Sequence, residues 1–515
     1  MKLTLTLPAA LLLTPLSALP AAETKAAGQS IERPAFHFTP PAGWMNDPNG
    51  LLHHEGEFHL FYQSFPEDIQ RVIYGSGEGG RAGARIGWGH AVSRDLVAWE
   101  HLPLAIPEER GVEEMAAIYS GSAVVDYENR SGFGRGNRPP IVAFYTLMKF
   151  SRDPAAGEWR PTTQPVGLAY SNDGGRTFTK YEGNPVVDVG DRTFGDPKVF
   201  WHAASERWIM VNIWGNKQGK VGFWGSANLK DWKFLSEFHA EQDAPGKWEC
   251  PDLFPLAVDG NPERIKWVLK VANRRKYFIG DFDGREFRRE PSLESTFPYP
   301  QGSYYAEVTF NGIPDTDGRR VMMGWISKQT PRAERAWTGM QSVPRSLTLR
   351  TTPQGLRVCQ EPVAELRKLR GAHQGWQDKI LPAAESPTDL RLAGSLWELQ
   401  AEFAPDSSAE FGFRFALDSG RELKIGYDRV GQKVFCDQPT QPRASVPQPM
   451  RGDTVTFHLL VDHSVIEVFA EDGETAYVAL IDPDASVTGI GLFAKGGAAR
   501  AVSLDVWALG KEKPH

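Results

Sequence analysis

Three segments of this chain are variations on one short design. Ser93-Arg94-Asp95-Leu96-Val97-Ala98-Trp99, Ser171-Asn172-Asp173-Gly174-Gly175-Arg176-Thr177-Phe178 and Ser226-Ala227-Asn228-Leu229-Lys230-Asp231-Trp232 each hold a serine, a turn and a closing aromatic. Each follows a short run of apolar or small residues. Repeats tens of residues apart, in a chain of short β-type runs, predict the blades of a propeller. A single blade cannot bury both of its faces, so the folding unit is the whole ring.

The surrounding pattern agrees. Runs such as Phe58-His59-Leu60-Phe61-Tyr62, Ile141-Val142-Ala143-Phe144-Tyr145 and Trp208-Ile209-Met210-Val211 read as strands. Asn49-Gly50, Asp173-Gly174-Gly175 and Asp283-Gly284 read as turns between them. The fold class expected is all-β, with the propeller over 32–355. Glu361–Gly371 is the clearest helix candidate, with Val363, Leu366 and Leu369 on one face, so 356–372 reads as a helical linker. Alternating segments resume beyond it, as in Val465-Ile466-Glu467-Val468-Phe469, and 373–515 reads as a β-sandwich that braces the ring.

Residues 1–22 have the grammar of a secretory signal: Lys2, an apolar stretch to Leu19, then small residues at Ala21 and Ala22. The chain is therefore expected to be secreted or periplasmic, with no membrane insertion after cleavage. A formal charge of −7 argues against nucleic acid as a partner. Three cysteines (Cys250, Cys359, Cys436) leave room for one disulfide or none, and their spacing fits no zinc site. His53, His54 and His59 alternate faces along an apparent strand, which suits packing better than a metal.

Three acids stand in unusual settings. Asp47 lies in Trp44-Met45-Asn46-Asp47-Pro48-Asn49-Gly50, Asp196 in Phe194-Gly195-Asp196-Pro197-Lys198, and Glu249 in Trp248-Glu249-Cys250-Pro251-Asp252. Each has an aromatic neighbour and a proline close behind, which fixes the local backbone and removes a donor. Any one such acid reads more simply as a turn cap. Three of them, far apart in a propeller whose innermost strands meet on one axis, read as a site. Glycoside hydrolysis wants this inventory. One carboxylate attacks the anomeric carbon, and a second protonates the leaving oxygen and then activates water. A third carboxylate holds hydroxyls as charge develops. Poorly solvated walls such as Trp248 are expected to help keep the acid protonated.

At these motifs the chain resembles glycoside hydrolase family 32, the invertase, inulinase and levanase family, over nearly all of its length. Phe61-Tyr62-Gln63, Gly87-Trp88-Gly89-His90, Tyr119-Ser120-Gly121-Ser122 and Met323-Gly324-Trp325 extend the likeness. The resemblance implies a five-bladed β-propeller followed by a C-terminal β-sandwich, retention of configuration, and no cofactor or metal. The substrate would be a fructose-containing oligo- or polysaccharide: levan, inulin or a sucrose-type sugar. It also implies Asp47 as nucleophile, Glu249 as acid/base and Asp196 as stabiliser of the transition state. Trp44, Asn46, Gln63, Trp88, Tyr119, Ser120 and Trp325 would line the fructose subsite.

The chain departs from the family pattern at Gly195, where arginine is usual, at Ser303, and in the short basic loop Asn273-Arg274-Arg275-Lys276. Gly75–Arg85 reads as an inserted loop. Gly195 and Ser303 keep open action on another furanoside or fructosyl transfer; a non-catalytic sugar-binding propeller is a separate alternative.

Overall fold

The computed structural model describes residues 33–510 apart from internal stretches, the longest being 66–84, 297–303 and 327–335. The proposed leader and most of the inserted loop lie outside the described residues.

Among the described residues four sheets follow one another along the chain before the sandwich. The last, of nine strands, carries two blades joined where Val258 pairs in parallel with Leu349, so five blades are formed, each with one innermost strand. We label these inner strands β1 (Gly43–His54), β2 (Glu114–Val125), β3 (Gly195–His202), β4 (Asp252–Val258) and β5 (Tyr304–Thr309). In the first blade β1 pairs with Glu57–Phe65, which pairs with Gly87–Ser93, which pairs with Glu100–Ile106. The ring closes where Gly43 and Trp44 pair in parallel with Trp337 and Thr338, so a late segment joins the first blade.

The sequence repeat is the turn before each blade's outermost strand. Asp95 accepts the N–H groups of Val97 and Ala98, Asp173 that of Thr177, and Asn228 those of Lys230 and Asp231. The closing aromatics then pack inward: Trp99, Phe178 and Trp232 each lie against a separate interior cluster. Those clusters sit between blades. Leu52, Phe61 and Trp88 of the first blade meet Ile118, Ala143 and Tyr145 of the second. Polar turn and apolar anchor are thus one device, and the ring rather than the blade is what buries surface.

The expected helix over Glu361–Gly371 is corrected. Gly355–Pro362 is the outer strand of the fifth blade, Ala364–Leu369 is a short 3₁₀ turn, and Arg370–Leu381 is already a strand of the sandwich. Val363, Leu366 and Leu369 are spaced by three, the 3₁₀ period, and all three are buried.

Among the described residues the sandwich shows two six-stranded sheets, and its core runs on into the first, fourth and fifth blades. A buried polar joint crosses the junction. His37 contacts Asp462 Oδ2 through Nδ1 (2.8 Å) and Glu467 Oε1 through Nε2 (3.1 Å). Arg345 of the fifth blade donates to Glu467 Oε2 at 2.6 Å. Charges are tolerated in such a place only when paired and fully bonded.

Candidate active site

At one end of the axis the inner strands break register at matching positions. Pairing slips between Met45 and Pro48 in β1, Ile118 and Gly121 in β2, Gly195 and Lys198 in β3, and Tyr305 and Val308 in β5. The slips enclose Asn46-Asp47, Tyr119-Ser120, Asp196-Pro197 and Ala306-Glu307. β4 begins directly after Glu249-Cys250-Pro251. A bulge re-aims a side chain and ends local pairing, which is how a strand presents a functional group at a barrel or ring mouth. Pro48 and Pro197 favour the slip because they have no N–H for the ladder. In β2 glycine serves instead, since a Cβ on Gly121 would lie 1.9 Å from the Phe144 carbonyl oxygen. Asp196 (φ 47°), Cys250 (φ 45°) and Ala306 (φ 54°) are left-handed, a backbone cost of roughly 1–3 kcal/mol each that the packed ring must hold.

Asp47 ends a line of hydrogen bonds. Trp44 Nε1 donates to Asn46 Oδ1 (3.2 Å), Asn46 Nδ2 to Gln63 Oε1 (2.7 Å), Gln63 Nε2 to Ser120 Oγ (2.6 Å), and Ser120 Oγ to Asp47 Oδ2 (2.6 Å). Asn46 Nδ2 also reaches Asp47 Oδ1 at 3.3 Å. Gln341 Nε2 holds the Asn46 carbonyl at 2.7 Å. Burial, and next the charge of Glu249, push the Asp47 carboxyl up to about 6, while the donors from Ser120, Cys250 and Asn46 pull it back. Each donor favours the ionised form.

Asp196 lies beside it. Its N–H donates to Thr146 Oγ1 (2.7 Å) and its Oδ2 accepts the Cys250 N–H (3.1 Å). Burial first, then the charges of Glu249 and Asp47, push it up to about 7. Cys250 spans the two acids, with Sγ 3.5 Å from Asp47 Oδ2 and 3.9 Å from Asp196 Oδ2. Burial and both carboxylates raise its thiol well above the ordinary value, so it stays protonated.

Glu249 is the more open of the three. Lys247 Nζ lies 2.6 Å from its Oε1, and the Tyr305 hydroxyl donates to its Oε2. Burial lowers the Lys247 ammonium, but its bond to Glu249 outweighs this and raises it. Asp47 and Asp196 both feel the Glu249 charge, and Asp196 feels that of Asp47 as well.

The sequence-derived residues divide. Trp44, Asn46, Gln63, Ser120, Asp47, Asp196 and Glu249 come together. Tyr119 is half-buried, and burial followed by the Asp47 charge raises its phenol to about 12. Trp325 stands edge-on to Trp44 (5.9 Å) and Tyr305 (6.3 Å), its buried indole N–H without a hydrogen-bond partner among the described residues. Two aromatics differ from expectation. Trp88 is 0% exposed, packed on Phe61 and Tyr145, and its N–H goes to the Tyr119 carbonyl (3.0 Å), so it supports β2 from below and offers no face to a sugar. Trp248 is packed with Phe238 and Phe278 in the core between blades, not along the site wall. Trp88 lies on Gly87–Ser93, the third strand of its blade and buried throughout, and Trp248 lies on no strand, so neither is aimed at the axis by an inner strand.

Sequence reasoning missed Cys250, Tyr305, Lys247 and Thr146 as parts of the site. Cys250 and Lys247 flank Glu249, and that proximity was the available signal. Of the departures, Gly195 has φ 149°, and a Cβ there would come within 2.6 Å of Thr146 Oγ1. Ser303, Arg274 and Arg275 lie outside the described residues. Among the described residues no cluster of metal-ligating side chains occurs, and no helix is long and apolar enough to cross a membrane. All three cysteines are buried and unbridged.

Family models agree with this geometry: the N-terminal domain of glycosyl hydrolases family 32 matches residues 37–362, and the C-terminal domain matches 363–508. The chain belongs to glycosyl hydrolase family 32. It is 39% identical to a levanase of Bacillus subtilis over 93% of this chain and 70% of that one. It is 32% identical to an extracellular exo-inulinase of Aspergillus niger, over 92% and 94%. The crystal structure of an exo-inulinase from Aspergillus awamori superposes with a TM-score of 0.80 at 28% identity, covering 93% of this chain and 99% of that one. This family 32 member is a glycoside hydrolase, and the family architecture is the propeller and sandwich described above.

Proposed function

We propose that this family 32 enzyme is exported and hydrolyses terminal β-D-fructofuranosyl residues of fructans or sucrose-type sugars with retention, Asp47 attacking and Glu249 serving as acid and then base. The line of donors ending on Asp47 carries the reading. A nucleophile buried in this way needs donors to keep it ionised, and Ser120, Asn46 and Cys250 supply them.

The roles follow from the environments. Asp47 is closed off and stabilised as an anion, which suits attack on the anomeric carbon. Glu249 is more exposed, which suits exchange of a leaving group for water beside it. Tyr305 and Lys247 fix its orientation. Asp196 has one oxygen bonded to the Cys250 N–H and spare acceptor capacity for ring hydroxyls. Trp44, Asn46, Gln63, Tyr119 and Trp325 surround the acids and are assigned to the fructose subsite. For retention the two catalytic carboxyls work about 5–5.5 Å apart.

The levanase and exo-inulinase relatives support fructan as the substrate class and export as the destination. Gly195 favours a second reading, in which the furanoside accepted is not plain fructose or the acceptor is another sugar. Product analysis on sucrose, inulin and levan, side by side, tests both. Free fructose from any of them, lost in Asp47→Ala and Glu249→Gln, supports the first. Longer oligosaccharides as main products support the second, and no turnover of the three by folded enzyme refutes the proposal.

A further inference from the structure

The acids occupy one end of the axis. The other end holds a cavity of about 520 Å³ to which all five inner strands or their exits contribute. Leu52, Val124, Phe200, Leu253 and Asn311 line it, each four to six positions further along than Asp47, Ser120, Asp196, Glu249 or Tyr305. At about 3.3 Å per residue that places it roughly 13–20 Å from the acids. A buried polar floor separates the two ends. Lys198 Nζ donates to the Thr309 carbonyl (2.6 Å) and lies 3.4 Å from Asp252 Oδ1, and Asp252 Oδ2 accepts the Thr309 N–H (2.6 Å). A sugar held by the acids does not reach this cavity.

Its lining is aromatic on one side, with Trp201, Trp208 and Trp267. Tyr127 stands at the mouth with 66% of its surface exposed. The charged groups are already engaged with the protein. Arg130 pairs with Glu128 (2.5 Å) and lies over Trp201; Arg319 pairs with Asp317 and Glu365 (2.8 Å to the latter); Arg320 donates to the Phe310 carbonyl (3.3 Å). Lys198 is held in the floor. An anion would have to displace these internal partners. The buried indole N–H of Trp208, by contrast, has no hydrogen-bond partner among the described residues. Aromatic faces, an unspent donor and charges closed on themselves suit a neutral ligand with apolar faces and hydroxyl edges. The volume falls in the range of small-molecule sites.

We propose that this cavity is a second, non-catalytic saccharide site that holds a short oligosaccharide at the far end of the ring. It rests on the functional reading only for the choice of probe. On a polymeric substrate it would hold the enzyme to its target and raise the local substrate concentration.

The test uses the full chain carrying Asp47→Ala, titrated calorimetrically with 1-kestose. Two sites are expected. Tyr127→Ala, which removes the ring at the mouth, and Ile313→Trp, which fills the entrance, should each weaken the second site at least fivefold. In the otherwise native enzyme both variants should leave sucrose turnover unchanged and raise the half-saturating concentration of high-mass fructan several-fold. A single site that neither variant alters, in protein with native melting temperature, overturns the proposal. Binding that is lost only with these two variants, in an enzyme that cleaves no fructoside, would sink the functional reading and spare this one.

Discussion

Ser120 donates its hydroxyl to Asp47 Oδ2 at 2.6 Å while accepting a hydrogen bond of equal length from Gln63 Nε2. The serine comes from the second blade and the aspartate from the first, so their bond reports the alignment of two blades as well as the state of the acid. Removing it should make Asp47 harder to ionise. In Ser120→Ala the acid limb of kcat/KM, set near pH 6 by Asp47, should move up by about one pH unit, since a hydrogen bond to a charged group is worth about 1.5–3 kcal/mol. A pH–rate profile on sucrose checks this; activity reduced equally at every pH would rule out the proposed role.

The same burial has a cost in stability. Asp47 is raised from 3.8 to about 6, so the native state binds more protons than the unfolded chain between those values. Its penalty is absent below about pH 4 and fully developed above about pH 6. Asp47→Asn should therefore raise the melting temperature by a few degrees at pH 7.5 and have little effect at pH 4, with activity lost at both. Thermal unfolding at the two pH values decides it, and equal shifts at both would show that the gain is not electrostatic.

Much of this was legible in the sequence because it lies in local chemistry. The Ser-turn-aromatic repeats encode blade turns at Asp95, Asp173 and Asn228, and the prolines after Asp47 and Asp196 mark bulged strands. What failed was depth. Trp248 sits beside Glu249 in the chain and Trp88 pairs across from Gln63, yet both rings are packed between blades, and no local pattern records which ring is turned away from the axis. Tyr305 and Thr146 were invisible for another reason. They reach Glu249 and Asp196 from other blades, and no local pattern records which blade stands next to which.

Gly195 offers a direct test of the departure from the family pattern. With φ at 149° and a Cβ placed 2.6 Å from Thr146 Oγ1, any side chain must disturb the bond from Asp196 N–H to Thr146. Gly195→Arg, which restores the usual residue, should lower kcat/KM at least tenfold rather than improve it. Gly195→Ala should show a smaller loss in the same direction. A gain in kcat/KM for Gly195→Arg on sucrose or levan would mean that the local backbone accommodates the arginine without cost.

The joint between propeller and sandwich should make stability depend on alkaline pH. Burial alone would lower His37, but its bonds to Asp462 and Glu467 outweigh that and raise it from 6.5 to about 9. The native state then holds a proton that the unfolded chain gives up above about pH 6.5. The resulting stabilisation is complete below that point and disappears as pH rises through 9. Its ceiling is about 3 kcal/mol, from a shift of about 2.5 pH units. Asp462 and Glu467 are lowered against the pull of burial, Asp462 chiefly by its bond to His37 and Glu467 chiefly by the Arg345 charge. Their contribution is present above the ordinary carboxylate range and lost as pH falls below it through their lowered values. The joint is therefore strongest between about pH 4.5 and 6.5. Urea unfolding at pH 6 and pH 9 should show a loss of about 2–3 kcal/mol for the native chain. His37→Asn should be weaker at pH 6 and nearly flat between the two. A slope that survives the substitution would assign the alkaline loss to another group.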